Sequence, residues 1–320
     1  SLKICLIATP NQELIGTITD GDVRRGLLSG LDFKSPIEKI VQRYPVVVQA
    51  GIKKKNVEQI MTEKKIYQIP EINQANKIVG LHTWDGLTKT DKISNIIIIM
   101  AGGKGKRLLP ETETCPKPML MVGGKPILEI IIQKAKAEGF EKFIICVGYL
   151  SDKIIEYFSS GKDFGVEIDY VHEKKPLGTA GAISLLKPQP NEDFIVVNGD
   201  VVTDIRYADF LNFHIRQKAL ATMAVHLHEW QNPFGVVQLD ELEIIGFQEK
   251  PTLRSYVNAG VYALSTESLE YLEKNQACDM PTIFERLRQK NKLTVAYPMH
   301  EFWLDIGYSS DLKKANRTDK

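Results

Sequence analysis

The chain has 320 residues, of which 41 are Lys or Arg and 40 are Asp or Glu, and its hydrophobic fraction is 43%. This composition is typical of a globular protein, and the length allows two domains. The net charge of +1 gives no reason to expect nucleic acid as a partner. No apolar run approaches the ~20 residues of a membrane span, and no signal peptide is visible, so we expect no membrane partner. The four cysteines are scattered without metal-type spacing, which favours reduced thiols and a cytoplasmic location.

An imperfect repeat occupies the first part of the chain. The run Asn11–Asp22 recurs 64 residues later as Ala75–Gly86, which aligns Thr19 with Thr83. Each copy is predicted to form a strand, a turn, a second strand and then a helix. In the first copy, Thr19 or Asp20 can cap that helix.

The repeat resembles a pair of cystathionine-β-synthase-type (CBS) modules, with the chain starting partway through the first. The resemblance implies a small α+β regulatory domain over residues 1–92 that binds an adenine nucleotide, with Thr19 and Asp22 holding phosphate and ribose. In the second copy Gly86 stands where the acidic residue is expected, so we expect at most one such site. The alternative is that Thr19 and Asp22 only cap a helix.

A glycine-rich basic loop follows the apolar run Ile96–Met100. The run predicts a strand buried on both faces of a parallel sheet. Glycines leave backbone N–H groups open to a polyphosphate, and basic side chains add charge-assisted hydrogen bonds. An ordinary turn with solvated lysines is the alternative. Several prolines downstream predict an extended segment instead of the helix that follows the common phosphate loops: Pro110, Pro116 and Pro118.

Apolar runs alternate with helical patterns beyond this loop. Helices are predicted over 126–139 and 151–159, and strands over 143–149, 166–171 and 194–200. This alternation predicts a parallel α/β sheet, in which ligands bind beyond the carboxyl ends of the strands.

Several short motifs occur in an order that resembles the sugar-phosphate nucleotidyltransferases. The resemblance covers residues 94–320 and implies a Rossmann-like (GT-A-like), mostly parallel α/β domain over 93–320. Such enzymes transfer a nucleoside monophosphate from a nucleoside triphosphate to a sugar-1-phosphate and release pyrophosphate. The motifs are Ala101–Leu108 with Pro116–Met119, Pro176–Gly181, Asn198–Asp200, Phe234–Val237, Glu249–Pro251, Asn258–Tyr262 and Trp303–Gly307.

The resemblance implies a role for each charged residue of these motifs. Asp200 and Asp305 would hold one Mg²⁺, although either carboxylate can instead cap a local element. Arg107 and Lys117 would hold the triphosphate, and Lys250 the phosphate of the sugar. Because each lysine precedes a proline, we expect both in extended backbone. The sugar-phosphate nucleophile is already anionic, so no general base is required.

Further binding residues follow from the same resemblance. The family usually has Thr where this chain has Tyr308, a departure that we expect to lie beside the ligand. The nucleotide-binding set is Ala101, Gly102, Gly103, Gly105, Glu173, Gly178 and Thr179, and the sugar-phosphate set is Gly235, Glu249, Lys250, Asn258 and Gly260.

Glu173 bears on the choice of base. Guanine presents two hydrogen-bond donors on one edge, and a carboxylate can accept both. Uracil and thymine present one donor between two acceptors, a pattern that an amide side chain matches better. Glu173 therefore favours GTP over UTP. The short domain resembles guanylyltransferases of bacterial surface-sugar pathways, including glucosamine-1-phosphate guanylyltransferase; mannose-1-phosphate, heptose-1-phosphate and a UTP-dependent enzyme remain alternatives. A non-catalytic nucleotide-binding regulator is the alternative of a different class, and a homo-oligomer is compatible with each.

Overall fold

The computed structural model describes residues 4–84 and 92–316. The chain falls into two units, Ser1–Asp91 and Lys92–Lys320. Gly86, in the second copy of the repeat, lies outside the described residues, as does most of the polar segment Asp85–Lys92, which the sequence predicts to link the two units. Among the described residues, no helix combines the length and apolar character needed to cross a membrane.

The two predicted copies in the first unit form matching antiparallel hairpins. One pairs β1 (Ile4–Ala8) with β2 (Leu14–Thr19), and the other pairs β4 (Gln68–Ile72) with β5 (Ile78–Thr83). The register shifts at the equivalent place in both hairpins, next to the pairs Ile7–Gly16 and Glu71–Gly80. The predicted repeat of strand, turn and strand is therefore confirmed.

The hairpins also bond to each other reciprocally. The Leu14 N–H donates to the Asn76 carbonyl and the Ile78 N–H donates to the Gln12 carbonyl, each at 3.0 Å. Gln12 and Asn76 both have a left-handed backbone, with φ of +66° and +56°. Since these positions are also 64 residues apart, a local two-fold axis relates the two hairpins.

Helices and a short strand complete the first unit. Helix α1 (Asp20–Leu28) follows β2, and α2 (Lys54–Lys64) lies between β3 (Val48–Gln49) and β4. β3 runs parallel to β4, and the β1–β2 pair forms a separate small sheet. The buried side chains that α2 contributes to the core are Val57 and Met61.

A seven-stranded sheet organises the second unit, in the order β10-β9-β6-β11-β16-β13-β17. Every strand is parallel to the others except β16, so the predicted mostly parallel α/β sheet is confirmed. Its strands are β6 (Ile97–Ala101), β9 (Lys142–Val147), β10 (Glu167–His172), β11 (Phe194–Asn198), β13 (Ala221–Gln231), β16 (Thr252–Leu264) and β17 (Thr294–Met299).

Strand β6, in the interior of the sheet, is buried on both faces, as the apolar run predicts. Ile97 and Ile99 belong to one hydrophobic cluster and Ile98 to the other, and none of the three is exposed. Helices cover the sheet: α3 (Ile127–Ala137), α4 (Ser151–Phe158), α5 (Gly178–Gly181), α6 (Tyr207–Gln217), α7 (Met280–Gln289) and α8 (Ser309–Ala315). Three short two-stranded sheets are β7 (Met121–Val122) with β8 (Lys125–Pro126), β12 (Val201–Thr203) with β18 (Trp303–Asp305), and β14 (Val236–Asp240) with β15 (Glu243–Gln248).

The backbone expectations for the two lysines before proline were wrong. The segment after the glycine loop contains short 3₁₀ helices at Lys106–Leu108 and Lys117–Met119, and is not extended. The bond from the Leu120 N–H to the Lys117 carbonyl, 3.1 Å, closes the second turn. Lys250 is left-handed, with φ of +46°. At Lys117 a local hydrogen bond outweighs the bias that a following proline imposes, and at Lys250 hydrogen bonds from Gln231 and Asn232 to the carbonyls of Lys250 and Pro251 do so.

Candidate active site

The carboxyl ends of three parallel strands meet closely, and glycines make this possible. Gly102, Gly148 and Gly199 directly follow β6, β9 and β11. A Cβ on Gly148 would lie 2.9 Å from the carbonyl oxygen of Gly102, and one on Gly199 would lie 2.8 Å from that of Met100. Any side chain at either position would therefore separate the strand ends.

The glycine loop packs against the segment that carries Lys117. Gly105 has a left-handed φ of +60°, and a Cβ there would lie 3.1 Å from the Cβ of Lys117. The buried Thr112 hydroxyl donates to the Gly105 carbonyl at 2.9 Å. At Gly103, by contrast, no described atom lies within 4 Å of the Cβ position. The loop is thus fixed on one side and open on the other, where a ligand can approach its backbone.

The two predicted metal-binding carboxylates lie next to each other. Antiparallel pairing of β12 with β18 places Val201 opposite Asp305. The Ile306 N–H also donates to the Asp200 carbonyl at 3.1 Å. Lys117 donates a short hydrogen bond to the Asp200 carboxylate, and these side chains are 12% and 26% exposed. A lysine and two aspartates from distant parts of the chain thus form one partly buried cluster.

This cluster fits a hard divalent cation. Burial, together with the charge of Asp200, raises the pKa of Asp305, while Lys117 and Arg107 act in the opposite direction. Two neighbouring carboxylates that repel each other are the oxygen donors Mg²⁺ prefers, with phosphate oxygens and water completing its shell. Among the residues that the structure describes, no group of three or more His, Cys, Asp or Glu side chains could hold a metal ion; Asp200 and Asp305 stay the predicted protein ligands.

Arg107 lies against Tyr308. Its guanidinium carbon is 5.4 Å from the centroid of the tyrosine ring. Hydrogen bonding with Tyr308, followed by the charges of Asp305 and Asp200, raises the pKa of Arg107. Tyr308 therefore contacts a predicted phosphate-binding side chain, and its place beside the ligand stays a prediction.

Glu173 is packed against the first glycine of the loop. A Cβ on Gly102 would collide with Oε1 of Glu173, and Oε2 accepts the Leu177 N–H at 2.8 Å. Burial raises the pKa of Glu173, and the bond from Leu177 lowers it by less. Each carboxylate oxygen can accept more than one hydrogen bond, so Glu173 can still bind a ligand.

Thr179 and Gly178 are held by the start of helix α7. Gly178 has φ of +78°, and a Cβ there would lie 2.5 Å from Oδ1 of Asp279. That oxygen accepts the Thr179 N–H at 3.1 Å, and the Thr179 hydroxyl accepts the Met280 N–H at 2.8 Å. The side chain of Thr179 thus has a structural contact, and its nucleotide binding stays a prediction. Sequence reasoning missed Asp279, although an Asp one residue before a helix that carries Pro at its second position is a recognisable start signal.

Asn258 and Gly260 shape a bulge beside the carboxylate cluster. The register between β13 and β16 shifts there, and Gly260 has φ of +73°. The Asn258 side chain accepts the Gly260 N–H at 3.0 Å and donates to the Tyr262 hydroxyl at 2.8 Å. A Cβ on Gly260 would lie 2.8 Å from Val201 in β12. Both residues thus support the strand that follows Asp200.

The other predicted sugar-phosphate residues form a separate exposed group. A Cβ on Gly235 would lie 3.0 Å from Oε2 of Glu249. The Lys250 ammonium is 3.9 Å from Oε1 of Glu249, and the two side chains are 57% and 77% exposed. Among the described residues, no hydrogen bond or ion pair joins this group to Asp200.

In the first unit, Thr19 and Asp22 form a helix cap. Oδ2 of Asp22 accepts the Thr19 N–H at 2.7 Å and the Thr19 hydroxyl at 2.6 Å, while Oδ1 accepts a guanidinium N–H of Arg25 at 2.6 Å. The capping alternative is thus present, and adenine-nucleotide binding stays a prediction.

The second unit matches a known family. Residues 96–320 match the Nucleotidyl transferase family, and the chain belongs to it. It is 31% identical over 240 residues to a UTP–glucose-1-phosphate uridylyltransferase of Synechocystis sp., which covers 69% of this chain and 62% of that protein. It is 33% identical over 222 residues to mannose-1-phosphate guanyltransferase beta-A of Xenopus laevis, covering 67% of this chain and 61% of that one. The chain thus spans about three fifths of both relatives.

A solved structure shares the fold of the second unit. HddC from Yersinia pseudotuberculosis superposes with a TM-score of 0.56 at 26% identity, over 71% of this chain and all of that one. The same protein has also been solved in complex with GMP-PN. These relatives include uridylyl and guanylyl enzymes, so the comparisons leave the base open.

Proposed function

We propose that the second unit transfers a nucleoside monophosphate from GTP to a sugar-1-phosphate. The observation that carries this proposal is the cluster of Lys117, Asp200 and Asp305, with Arg107 beside it. Family membership supports the class of reaction, and the open side of the glycine loop offers backbone donors to phosphate oxygens. The cluster is partly buried and contains both positive and negative side chains. Such a cluster can stabilise a substrate whose charge is redistributed during the reaction.

The proposed reaction is an in-line displacement at phosphorus. An anionic oxygen of the sugar-1-phosphate attacks the α-phosphorus of GTP. The bond from the α-phosphorus to the oxygen that bridges to the β-phosphorus breaks, and its electron pair leaves with pyrophosphate. The proposed nucleophile is already deprotonated, so no proton must be moved.

The roles of the residues follow from charge and position. Arg107, oriented by Tyr308, and Lys117, anchored at Asp200, would bind phosphate oxygens and hold the triphosphate in line. Asp200 and Asp305 would hold Mg²⁺, which when bound supplies positive charge to the phosphates. Lys250 would bind the phosphate of the incoming sugar.

Glu173 supports guanine as the base. Its carboxylate lies against the loop that would carry the nucleotide, and it can accept the two donors on one edge of guanine. The complex of HddC with GMP-PN shows that a protein of this fold can bind a guanine nucleotide. For the acceptor we propose glucosamine-1-phosphate, with mannose-1-phosphate as the alternative that the 33% identity to a mannose-1-phosphate guanyltransferase favours.

Pyrophosphate release with GTP, UTP, dTTP and ATP, each combined with several sugar-1-phosphates, tests the proposal. We expect the highest kcat/KM with GTP. We expect the Asp200→Asn variant to release pyrophosphate only at a small residual rate. A preference for UTP would refute the role of Glu173 but not the reaction class. Absence of pyrophosphate release with every combination would refute the transferase.

For the first unit we propose a CBS-like role in binding one adenine nucleotide near Thr19. The two-fold repeat supports this, because two related hairpins create a shared surface between them. Calorimetry with AMP, ADP and ATP tests the proposal, and a regulatory role additionally requires that turnover changes with ligand. Absence of binding heat would leave Thr19 and Asp22 as a helix cap alone.

A further inference from the structure

A two-stranded ribbon in the second unit has an uncovered apolar face. Within the described chain, β14 and β15 pair only with each other. The cross-strand pairs Val237–Phe247 and Leu239–Ile244 lie on one face, and Ile245 is the additional residue at the register shift. All five side chains are largely exposed: Val237 45%, Phe247 75%, Leu239 58%, Ile244 56% and Ile245 61%.

This face is unusual for a surface in water. Leu242, in the turn of the ribbon, is 96% exposed. A two-stranded ribbon is marginally stable without further packing, and monomers rarely expose apolar patches of more than a few hundred Å². Neither strand contains Lys or Pro, and the charged residues Asp240 and Glu243 lie only at the turn end of the ribbon. A partner that covers this face would remove its apolar side chains from water.

We propose that a second copy of this chain covers the ribbon, with the two apolar faces packed about a two-fold axis. Allowing about 100 Å² for each aliphatic side chain and about 200 Å² for the aromatic one, the six exposed side chains offer roughly 450 Å² of apolar surface. A standard interface buries about 800 Å² per partner, of which about 56–58% is apolar. The same patch on two copies thus supplies the apolar area of one standard interface.

Charge favours an antiparallel arrangement of the two ribbons. Asp240, Glu241 and Glu243 crowd the turn, whereas Glu249 and Lys250, which lie 3.9 Å apart just beyond the opposite end, offset each other's charge. Two parallel ribbons would bring the acidic turns together. A two-fold axis across the ribbon instead places the acidic turn of each copy near the neutral end of the other, which also satisfies the symmetry of a closed dimer.

Covering the ribbon also has a consequence for the site, which rests on the proposed function. Val236 and Gln248 form the last pair at the open end of the ribbon. Gly235 and Glu249 directly continue the two strands, and Lys250 follows. Three of the residues predicted to bind the sugar phosphate, Gly235, Glu249 and Lys250, are therefore carried by the ribbon, and a partner that immobilises the ribbon fixes their positions.

Sedimentation equilibrium of the full chain across the micromolar range tests the proposal. We expect a dimer for the unmodified chain and a monomer for Ile245→Glu, which places a charge in the apolar face. Ile215→Glu is the matched control, because Ile215 is 46% exposed on helix α6, away from the ribbon in sequence and fold. We expect this control to remain a dimer. An unmodified chain that is monomeric throughout, or an Ile245→Glu variant that still dimerises, would overturn the proposal.

Hydrogen exchange on the unmodified chain covers the case in which Ile245→Glu fails to fold. Amides of residues 236–248 should exchange more slowly as protein concentration rises, and exchange that is independent of concentration would overturn the proposal. In the folded variant we also expect a severalfold higher KM for the sugar-1-phosphate and an unchanged KM for GTP. If the chain dimerises but releases no pyrophosphate, the proposed function fails and the dimer stands.

Discussion

Replacing Lys117 by Met probes the centre of the candidate site. The ammonium of Lys117 bonds to the Asp200 carboxylate, and the side chains are only 12% and 26% exposed. Methionine retains an apolar stem of similar length, so the substitution removes mainly the charge. It leaves Asp200 partly buried next to Asp305 without its cationic partner.

The expected loss of stability lies between two limits. Exposed ion pairs contribute about 0–1 kcal/mol, whereas removing one partner of a fully buried pair costs about 3–5 kcal/mol. At the observed exposure, we expect Lys117→Met to lower the free energy of unfolding by about 1–3 kcal/mol. Turnover should fall by about 10²–10³-fold, since a preorganised charge at the reacting phosphate is lost.

Urea unfolding and pyrophosphate release measure the two effects. Lys125→Met is the stability control, because the side chain of Lys125 is 51% exposed and its ammonium is 4.0 Å from Glu129. The ammonium also donates to Gln133 at 2.7 Å, but at this exposure its removal should change stability by no more than about 0.5 kcal/mol. In a double-mutant cycle, Asp200→Asn should recover part of the stability that Lys117→Met loses. Additive effects in that cycle, or a Lys117→Met variant as stable as the unmodified chain, would refute the reasoning.

Three further substitutions test other parts of the two units. Asp200→Asn should keep the circular dichroism spectrum and lower kcat by about 10²–10³-fold; near-normal turnover at saturating Mg²⁺ would remove Asp200 from the metal site. Glu173→Gln should lower kcat/KM for GTP, and the decrease should correspond to about 1–3 kcal/mol of lost transition-state stabilisation. Burial raises the pKa of Glu173, so on acidification the KM for GTP should begin to rise at a higher pH than it would for an ordinary glutamate. The Gln variant should lack this rise, and identical pH profiles for the two proteins would contradict the assignment. Asp22→Ala should destabilise the first unit by about 0.5–2 kcal/mol in thermal unfolding, since both carboxylate oxygens accept hydrogen bonds, and unchanged unfolding would show that the cap contributes nothing.

The sheet and the position of the site could be predicted because local patterns determine them. The uninterrupted run Ile96–Met100 has no polar alternation, so its strand must be covered on both faces. Once strands alternate with helices, the parallel topology brings the ends of β6, β9 and β11 to one edge. Gly102 and Asp200 follow two of those ends, and the structure places both there. The internal repeat was predictable for the same reason, since equal spacing in sequence produced equal register in the hairpins.

Contacts between distant segments could not be predicted in the same way. Thr179 reads as a ligand-binding residue in its motif, but its hydroxyl bonds to the start of a helix about one hundred residues later, as the separation of 101 for that hydrogen bond shows. Tyr308 reads as a neighbour of the metal site, and only the fold shows that its ring lies against Arg107. The backbone of Lys250 departs from the bias before proline because hydrogen bonds to the carbonyls of Lys250 and Pro251 hold the turn. In each case a contact between segments that are distant in sequence is of modest strength, but it outweighs the weaker preference of the local sequence.

The charges of the site explain why Lys250 belongs to the proposed reaction although it lies apart. Arg107 and Lys117 carry two positive charges, and Asp200 and Asp305 carry two negative charges when ionised, so the cluster is close to neutral by itself. It therefore has no surplus charge with which to attract a second anionic substrate next to a bound triphosphate. Mg²⁺ can offset part of the nucleotide charge, but the incoming sugar phosphate must approach a centre that is still negative. An additional cation from the ribbon end answers that requirement, and its side chain, 57% exposed, is accessible to the phosphate of the acceptor.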